Sequence, residues 1–191
     1  MLSIANSIIS QHEYTPIGFD HFAKKTDELS IAKHNKNLHR NFQGYCTRET
    51  TGQVYAFGVS AISQFSNSYF QNSKTIKEYK ELIDSKKYAT KNGYILNSNE
   101  IIIKEIIESI LCNEYLSWKN ISKTTNTSLV ELQKMFEWNR SEIIEFEKDL
   151  LLVTNEDGFT ITEIGKHFMR NIASSFDIGL TNSTKTFSKS I

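Results

Sequence analysis

Residues 38–63 constrain the fold of this chain more than any other stretch. They read LHRNFQGYCTRETTGQVYAFGVSAIS. The first part is a loop in which Phe42 offers a flat apolar face and Gln43 an amide that can donate and accept hydrogen bonds. The second part, residues 54–62, is an apolar run that ends in small and hydroxyl residues, which is typical of a buried strand that presents backbone groups to a ligand. The stretch therefore predicts a buried strand beside a ligand-binding loop.

A second candidate position lies upstream, where residues 14–19 predict a short buried strand. His21 then lies at the carboxyl end of that strand, the place from which α/β barrels present functional side chains. A hydrogen-bonded structural histidine fits the same position, so both interpretations stay open. Thr26 is the predicted cap of the helix that follows, to about Lys36.

The stretch after residue 63 predicts a change in organisation. The polar run at residues 64–73 predicts a loop, and Ser73 is a predicted cap for a helix with one apolar face. Asn92 and Gly93 predict a tight turn. We expect a domain boundary close to this turn, giving domains 1–95 and 96–191.

The second domain is predicted to be mostly helical. Asn97 and Glu100 form a capping-box pattern before a long apolar helix, and residues 151–161 predict a hairpin. Helices around such a hairpin resemble a winged helix-turn-helix, so DNA binding has to be considered. The helix that would enter the groove, residues 140–149, carries more carboxylates than cations, and these would repel phosphates. The carboxylates are Glu142, Glu145, Glu147 and Asp149, against Arg140 and Lys148.

Composition narrows the function classes further. Lys and Arg together number 22, as do Asp and Glu, and this neutral balance argues against nucleic acid or an anionic membrane as partner. The two cysteines, Cys46 and Cys112, are too far apart for a CxxC metal site, and the histidines show no metal-ligand spacing. No apolar run approaches the length of a membrane span, so we expect a cytoplasmic location. Read alone, the residues indicate no catalytic group and no metal site.

Several blocks of the chain carry a family resemblance. They include GFDHFAK at residues 18–24, the 38–63 stretch, YFQN at residues 69–72 and the terminal FSKSI. Together they resemble the carboxyl-terminal half of the oxygen-independent coproporphyrinogen III oxidases, which belong to the radical S-adenosylmethionine enzymes. The resemblance implies the last strands of an incomplete β/α barrel, followed by a helical, winged-helix-like carboxyl-terminal domain, hence an α+β or mainly α fold.

The resemblance also implies a reaction. In this family S-adenosylmethionine and a [4Fe-4S] cluster generate a radical, and oxidative decarboxylation of coproporphyrinogen III gives protoporphyrinogen IX in haem biosynthesis. Such a cluster needs three closely spaced thiolates, which this chain cannot supply. We therefore expect the chain to be inactive alone, either as a truncated reading frame or as one half of a split enzyme whose partner is a separate amino-terminal barrel half.

Site residues follow from the same comparison by motif. Ile62 matches an isoleucine that contacts one S-adenosylmethionine, although a core strand residue fits that position equally, and Phe42 and Gln43 match the loop beside a second one. Ala56 and Cys46 depart from the family pattern, which usually has glycine and threonine there. His21, His39 and Arg40 are our own candidates for the substrate carboxylates, because a guanidinium pairs with a carboxylate through two hydrogen bonds.

Two other functions remain open at this point. A free-standing protein could bind haem or porphyrin on a patch of Phe42, Tyr45 and Phe57, or the acidic winged-helix region could serve as a protein-interaction module. The predicted strands at residues 16–19 and 54–59 also expect neighbours that this sequence does not contain. We therefore expect the chain alone to self-associate, while residues from about 95 onward behave as a compact unit.

Overall fold

Helices and antiparallel strands alternate in short pieces along the part of the chain that the structure describes. The computed structural model describes residues 8–9, 11–18, 21–42, 44–48 and 53–177, the side chain of Trp138 excepted. Gln43 and the terminal FSKSI lie outside these residues. The chain divides into two units, Met1–Ile101 and Ile102–Ile191. Its mixture of helix and strand confirms the α+β class.

A β-hairpin contains the first two strands of the described part of the first unit. Strand β1 (Tyr14–Pro16) pairs antiparallel with β2 (Phe22–Lys24), and helix α1 (Glu28–His34) follows. Asp27 caps this helix by accepting a hydrogen bond from the Leu29 amide, so the prediction of Thr26 as cap is wrong by one residue. The expected strand end at His21 is also wrong, because the chain turns there and returns along β2.

A second hairpin and a three-stranded sheet complete the first unit. Strands β3 (Leu38–Arg40) and β4 (Tyr45–Thr47) form the hairpin. Strands β5 (Ile62–Gln64), β6 (Ser68–Asn72) and β7 (Thr90–Ile95) form the sheet, with β6 in the middle. Helix α2 (Ile76–Asp84) connects β6 to β7 and buries none of its residues. The apolar face predicted for this helix is therefore largely exposed.

The predicted strand over residues 54–62 is wrong in its first part. Val54 makes one isolated bridge to Gln64, and the chain then turns at Gly58 and Ser60, whose φ angles are +107° and +60°. Phe57 is 90% exposed. Glycine adopts positive φ angles at little cost, so the chain can turn at Gly58. This turn interrupts the stretch that its apolar residues predicted to be one continuous strand.

Two further turn predictions are wrong for a related reason. The predicted loop at residues 64–73 contains most of the β5–β6 hairpin, and Asn92 and Gly93 lie inside β7 rather than in a turn. Gly93 faces Phe70 on β6, and a Cβ at Gly93 would lie 3.0 Å from that ring. The glycine is therefore needed for cross-strand packing, which short-range turn statistics do not see.

The second unit has a more regular architecture. Its helices are α3 (Ser98–Asn113, which begins before the unit boundary), α4 (Trp118–Thr125), α5 (Leu129–Met135), α6 (Arg140–Lys148) and α7 (Met169–Ser174). Its strands are β8 (Tyr115–Ser117), β9 (Leu152–Asn155) and β10 (Gly158–Ile161), in the order β8-β10-β9. Turns of 3₁₀ helix at Glu137–Asn139 and Gly165–Phe168 precede α6 and α7. None of the described helices combines the length and apolar character that a membrane crossing requires.

Several local predictions for this half are confirmed. Asn97 and Glu100 exchange the two hydrogen bonds of a capping box, at 3.0 and 2.8 Å. The hairpin predicted at residues 151–161 is the β9–β10 pair. Thr162 accepts a hydrogen bond from the Gly165 amide, as a cap should, although the segment it caps begins as a 3₁₀ turn.

A cluster of aromatic rings forms the centre of the second unit. Phe176 is fully buried and lies 5.6 Å from Phe136 and 6.2 Å from Phe159, centroid to centroid, with Trp118 beside it. The same unit also buries aliphatic side chains from its helices and strands: Ile106, Ile110, Leu116, Leu132, Leu152 and Ile172. Such a set is sufficient for a hydrophobic core of the unit's own.

Gly165 offers a direct test of this packing. A Cβ at that position would lie 1.8 Å from the carbonyl oxygen of Leu151, which belongs to the backbone and cannot rotate away. We expect Gly165→Ala to destabilise the second unit by about 1–3 kcal/mol, the usual cost of overpacking. Urea denaturation of this variant beside the unsubstituted chain measures the loss. An unchanged midpoint in Gly165→Ala would contradict the packing described.

Candidate functional site

The loop between β3 and β4 is held in place by an asparagine. The Asn41 amide donates to the Gly44 carbonyl at 2.9 Å, and the Gly44 amide donates to the Asn41 side-chain oxygen at 3.1 Å. Asn41 also donates from its side-chain nitrogen to Cys46 Sγ at 3.7 Å. These bonds close the loop at its base and fix the direction in which it carries Phe42.

Phe42 and Ile62 lie on the same face of the β5–β6–β7 sheet. The Phe42 ring packs edge-on against the ring of Tyr69, with 5.4 Å between centroids. Tyr69 and Gln71 alternate with Phe70 along β6, so they share one face, and Ile62 is the cross-strand partner of Gln71. We call this side, with Ile62, Tyr69, Gln71 and Tyr94, the site face. It combines aromatic rings, an aliphatic side chain and an amide.

The turn that leads into β5 is braced by side chains of neighbouring elements. The Gly58 amide donates to Tyr79 Oη at 3.1 Å, and Asn72 donates to the Gly58 carbonyl at 3.0 Å. The Ser60 amide donates to the Ser73 carbonyl at 2.7 Å. These backbone groups are therefore engaged within the protein. The expectation that this run presents such groups to a ligand is wrong for Gly58 and the Ser60 amide, and the site face offers side chains instead.

An ion pair between Glu78 and Lys91 stabilises the segment that carries Ser73. Glu78 accepts a hydrogen bond from buried Ser73 and pairs with Lys91, both at 2.5 Å. The ion pair with Lys91, followed by the hydrogen bond from Ser73, holds the pKa of the Glu78 carboxyl below its usual range. The carboxylate therefore stays ionised at neutral pH, and α2, β7 and the segment carrying Ser73 remain tied together.

A second cluster forms around Tyr45, on the other hairpin. The His21 ring meets the Tyr45 ring edge-on with 5.4 Å between centroids, and the Arg40 guanidinium lies 5.3 Å from the Tyr45 centroid. A Cβ at Gly18 would lie 2.0 Å from Tyr45 Oη, so glycine is required for the ring to fit. His21 and Arg40, predicted from distant parts of the sequence, are thus brought to one aromatic ring, and both are exposed.

His39 is placed differently from its neighbour. It is 6% exposed, whereas Arg40 is exposed, as expected for successive residues of a strand. His39 is paired across the hairpin with Cys46, on the covered side. The structure therefore separates His39 from the exposed cluster of Arg40 and His21.

Other candidate groups are more scattered. Phe42 is 60% exposed and Phe57 90% exposed, while Tyr45 is half-buried between Gly18 and His21. No group of three or more His, Cys, Asp or Glu among the described residues could hold a metal ion. The whole sequence contains two cysteines, and these lie in different units, so the residues present do not fit an iron-sulfur cluster.

Sequence reasoning missed Tyr69 and Gln71 as part of the site. The sequence SYFQN does contain a pattern that predicts a strand, because its side chains alternate along the segment with the period of two that strands show. It was masked by the serines and asparagines around it, which favoured a loop. Tyr45 was noted only as apolar surface, and its contacts with His21 and Arg40 follow from the pairing of β3 with β4.

Comparison with known proteins shows which proteins this chain resembles. The chain matches no protein-family model. It is 34% identical over 186 residues to an oxygen-independent coproporphyrinogen III oxidase of Synechocystis, covering 96% of this chain and 40% of the relative. It is 33% identical over 193 residues to the enzyme so named from Helicobacter pylori, covering 100% of this chain and 41% of the relative.

A solved structure agrees with the sequence matches. It is the coproporphyrinogen III oxidase of Escherichia coli, described as a radical SAM enzyme, with a TM-score of 0.84 and 32% identity. The match covers 93% of this chain and 40% of that one. This chain therefore spans about two fifths of the length of the relatives it matches. In sequence and in fold, it is homologous to the carboxyl-terminal portion of the oxygen-independent coproporphyrinogen III oxidases.

Proposed function

We propose that this chain is the carboxyl-terminal part of an oxygen-independent coproporphyrinogen III oxidase, which converts coproporphyrinogen III to protoporphyrinogen IX. The observation that carries the proposal is the structural match to the Escherichia coli enzyme over 93% of the chain. A cytoplasmic location and the absence of nucleic-acid and membrane partners remain predictions. The free-standing porphyrin-binding alternative is not favoured, because the similarity extends across both units rather than over one patch.

We propose that the site face contributes to binding S-adenosylmethionine. When bound to a reduced [4Fe-4S] cluster, this cofactor supplies the radical that removes hydrogen from a propionate side chain. Phe42 and Tyr69 offer aromatic surface for the apolar and adenine parts of such a molecule, and Gln71 offers an amide. Gln43 belongs to the same proposal by motif. The thiolates that such a cluster needs are not among the residues of this sequence, so the cluster would be held by the portion of the relatives that this chain does not match.

Arg40 and His21 are the proposed partners of the substrate carboxylates. Both are exposed beside Tyr45, and a guanidinium held against an aromatic ring is pre-oriented for two hydrogen bonds to one carboxylate. His39 is the weakest of the three candidates, because it is buried on the other side of the hairpin. Contact with the substrate would require that side to open.

We also infer that the second unit is a winged-helix-like domain that contacts protein rather than DNA. The order β8-β10-β9, with α4 and α5 between β8 and β9, supports the fold. Helix α6 carries Glu142, Glu145 and Glu147, which disfavour a phosphate backbone. The domains 1–95 and 96–191 remain our assignment for the barrel remnant and the helical domain.

Reconstitution tests the proposed function. The full chain is mixed anaerobically with the amino-terminal portion of the Escherichia coli relative, and iron, sulfide, a reductant, S-adenosylmethionine and coproporphyrinogen III are added. We expect cofactor cleavage and protoporphyrinogen formation only when both polypeptides are present, because neither alone holds all the required groups. A stable cluster and cofactor cleavage by this chain alone would refute the proposal, as would no turnover in a complex that demonstrably forms.

A further inference from the structure

The Tyr45 ring brings two polar side chains from separate hairpins to one place. Arg40 is its cross-strand partner in the β3–β4 hairpin, and His21 reaches it from the turn between β1 and β2. The Arg40 guanidinium carbon lies 5.3 Å and the His21 ring 5.4 Å from the centroid of the Tyr45 ring. Because both lie this close to the same centroid, they are separated by no more than about twice that distance. The cluster can therefore contact two carboxylates of one molecule.

Tyr45 itself is held in a defined position. Its ring packs over the backbone of Gly18, where a Cβ would lie 2.0 Å from Tyr45 Oη. Tyr45 is half-buried, whereas Arg40 and His21 are exposed. A guanidinium that lies over an aromatic face keeps less freedom of rotation, so less entropy is lost when it binds a ligand. Tyr45 can therefore orient both polar groups without contacting the ligand.

The substrate of the proposed reaction carries two kinds of carboxylate. Coproporphyrinogen III has four propionate side chains, and protoporphyrinogen IX keeps two of them. The two that are kept belong to neighbouring pyrrole rings and flank one methylene bridge. The two that are converted to vinyl groups do not share a bridge. Two polar groups against one aromatic ring suit the neighbouring pair better than the separated pair.

The chemistry of the reaction separates the two kinds as well. A reacting propionate gives one hydrogen atom to the radical. The bond to its carboxylate then breaks, carbon dioxide leaves, and one electron passes to a one-electron acceptor. The negative charge of that carboxylate disappears, so an ion pair with Arg40 would stabilise the substrate more than the transition state and slow the reaction. A propionate that is kept retains its charge throughout, and an ion pair with it positions the substrate without raising the barrier.

We propose that Arg40 and His21 bind the two propionates that the reaction leaves in place, with Tyr45 as the residue that positions them. The proposal rests on the proposed function and specifies which carboxylates the cluster recognises. On this basis the affinity for the product depends on the same residues as the affinity for the substrate. A cluster that held the reacting propionates would contribute nothing to product binding.

Titrations with two porphyrins distinguish these cases. Coproporphyrin III carries all four propionates, and protoporphyrin IX carries the two that are kept. The full chain is titrated with each, and fluorescence gives the dissociation constants. We expect Arg40→Ala to weaken both affinities by the same factor, about tenfold or more, because one ion pair is lost with either ligand. His21→Ala should also weaken both.

Lys80→Ala is the control for these titrations. It removes an exposed charge from α2 in the same unit and should change neither affinity. A loss confined to coproporphyrin III would assign the cluster to the reacting propionates and overturn the proposal. Unchanged affinities in Arg40→Ala, or no binding of either porphyrin by the unsubstituted chain, would overturn it as well.

Two substitutions of Tyr45 test its positioning role. The conservative variant Tyr45→Phe keeps the ring and is expected to retain both affinities. Tyr45→Leu removes the ring and should weaken both, by less than Arg40→Ala, because the guanidinium stays but loses its orientation. Circular dichroism checks that each variant is folded. A loss in Tyr45→Phe, or equal affinities in the two folded variants, would refute the positioning role.

Turnover by the reconstituted enzyme separates this inference from the proposed function. We expect Arg40→Ala to raise the KM for coproporphyrinogen III and the inhibition constant of protoporphyrinogen IX together, with little change in kcat. Porphyrin binding as expected without any turnover would count against the proposed function alone. Turnover in which Arg40→Ala lowers kcat and leaves product inhibition unchanged would count against this inference alone.

Discussion

Replacing Arg40 with alanine is expected to weaken the use of coproporphyrinogen III by the reconstituted enzyme by about 10- to 100-fold in kcat/KM. The exposed guanidinium lies against Tyr45, and hydrogen bonds to a charged group contribute about 1.5–3 kcal/mol when the partner is removed. Each 1.4 kcal/mol corresponds to about a tenfold change. Because the carboxylates are present in the ground state as well, we expect most of the loss in KM.

Two further variants separate charge from geometry. Arg40→Lys keeps the positive charge but cannot form two parallel hydrogen bonds, so an intermediate loss is expected. Arg140→Ala removes an exposed arginine from the second unit and should leave KM unchanged. If Arg40→Ala and Arg140→Ala behave alike in steady-state kinetics, Arg40 has no role in binding the substrate.

The parts of the fold that sequence predicts well are those in which neighbouring residues satisfy each other. Asn97 and Glu100 cap α3 through bonds three residues apart, and the hairpin of β9 and β10 turns where asparagine and glycine allow it. In each case the residues that stabilise the cap or the turn lie within a few positions of it in the sequence. Such features are visible without knowledge of the tertiary structure.

The predictions that were wrong concern positions whose conformation depends on contacts with residues far away in the sequence. Gly93 looked like part of a turn, but its partner is the Phe70 ring on another strand. The apolar run around Phe57 looked like a buried strand, but the turn at Gly58 is held by Tyr79 and Asn72, far along the chain. No pattern within residues 54–62 reports these contacts. Tertiary structure decided both positions against the local preference.

The candidate site shows the same division between residue identity and placement. Phe42 and Ile62 could be named from the sequence by resemblance, and Arg40 and His21 by their chemistry. Their grouping could not be, because it depends on the register of β5 with β6 and of β3 with β4. A shift of one residue in the first register would move Ile62 away from the face that Phe42 covers. The roles assigned to these residues remain proposals that the kinetic and binding experiments decide.

The contrast between the two units leads to the prediction with the largest effect on stability. Phe176 is 1% exposed and contacts the rings of Trp118, Phe136 and Phe159. We expect Phe176→Ala to destabilise the second unit by about 3–5 kcal/mol, through lost burial and the cavity left behind. A domain is stable by only about 5–15 kcal/mol, so this loss removes much of its margin.

Urea denaturation followed by circular dichroism measures this loss, with Phe168→Ala as the matched control. Phe168→Ala removes the same ring atoms, but Phe168 is 44% exposed in the folded protein. We therefore expect this variant to lower the free energy of unfolding by less than about 1–2 kcal/mol. Hydrogen exchange should show that Phe176→Ala weakens protection in the second unit and leaves β5, β6 and β7 as they were, because the aromatic cluster lies within the second unit. Equal midpoints for the two variants would mean that the ring cluster does not form the centre of that unit.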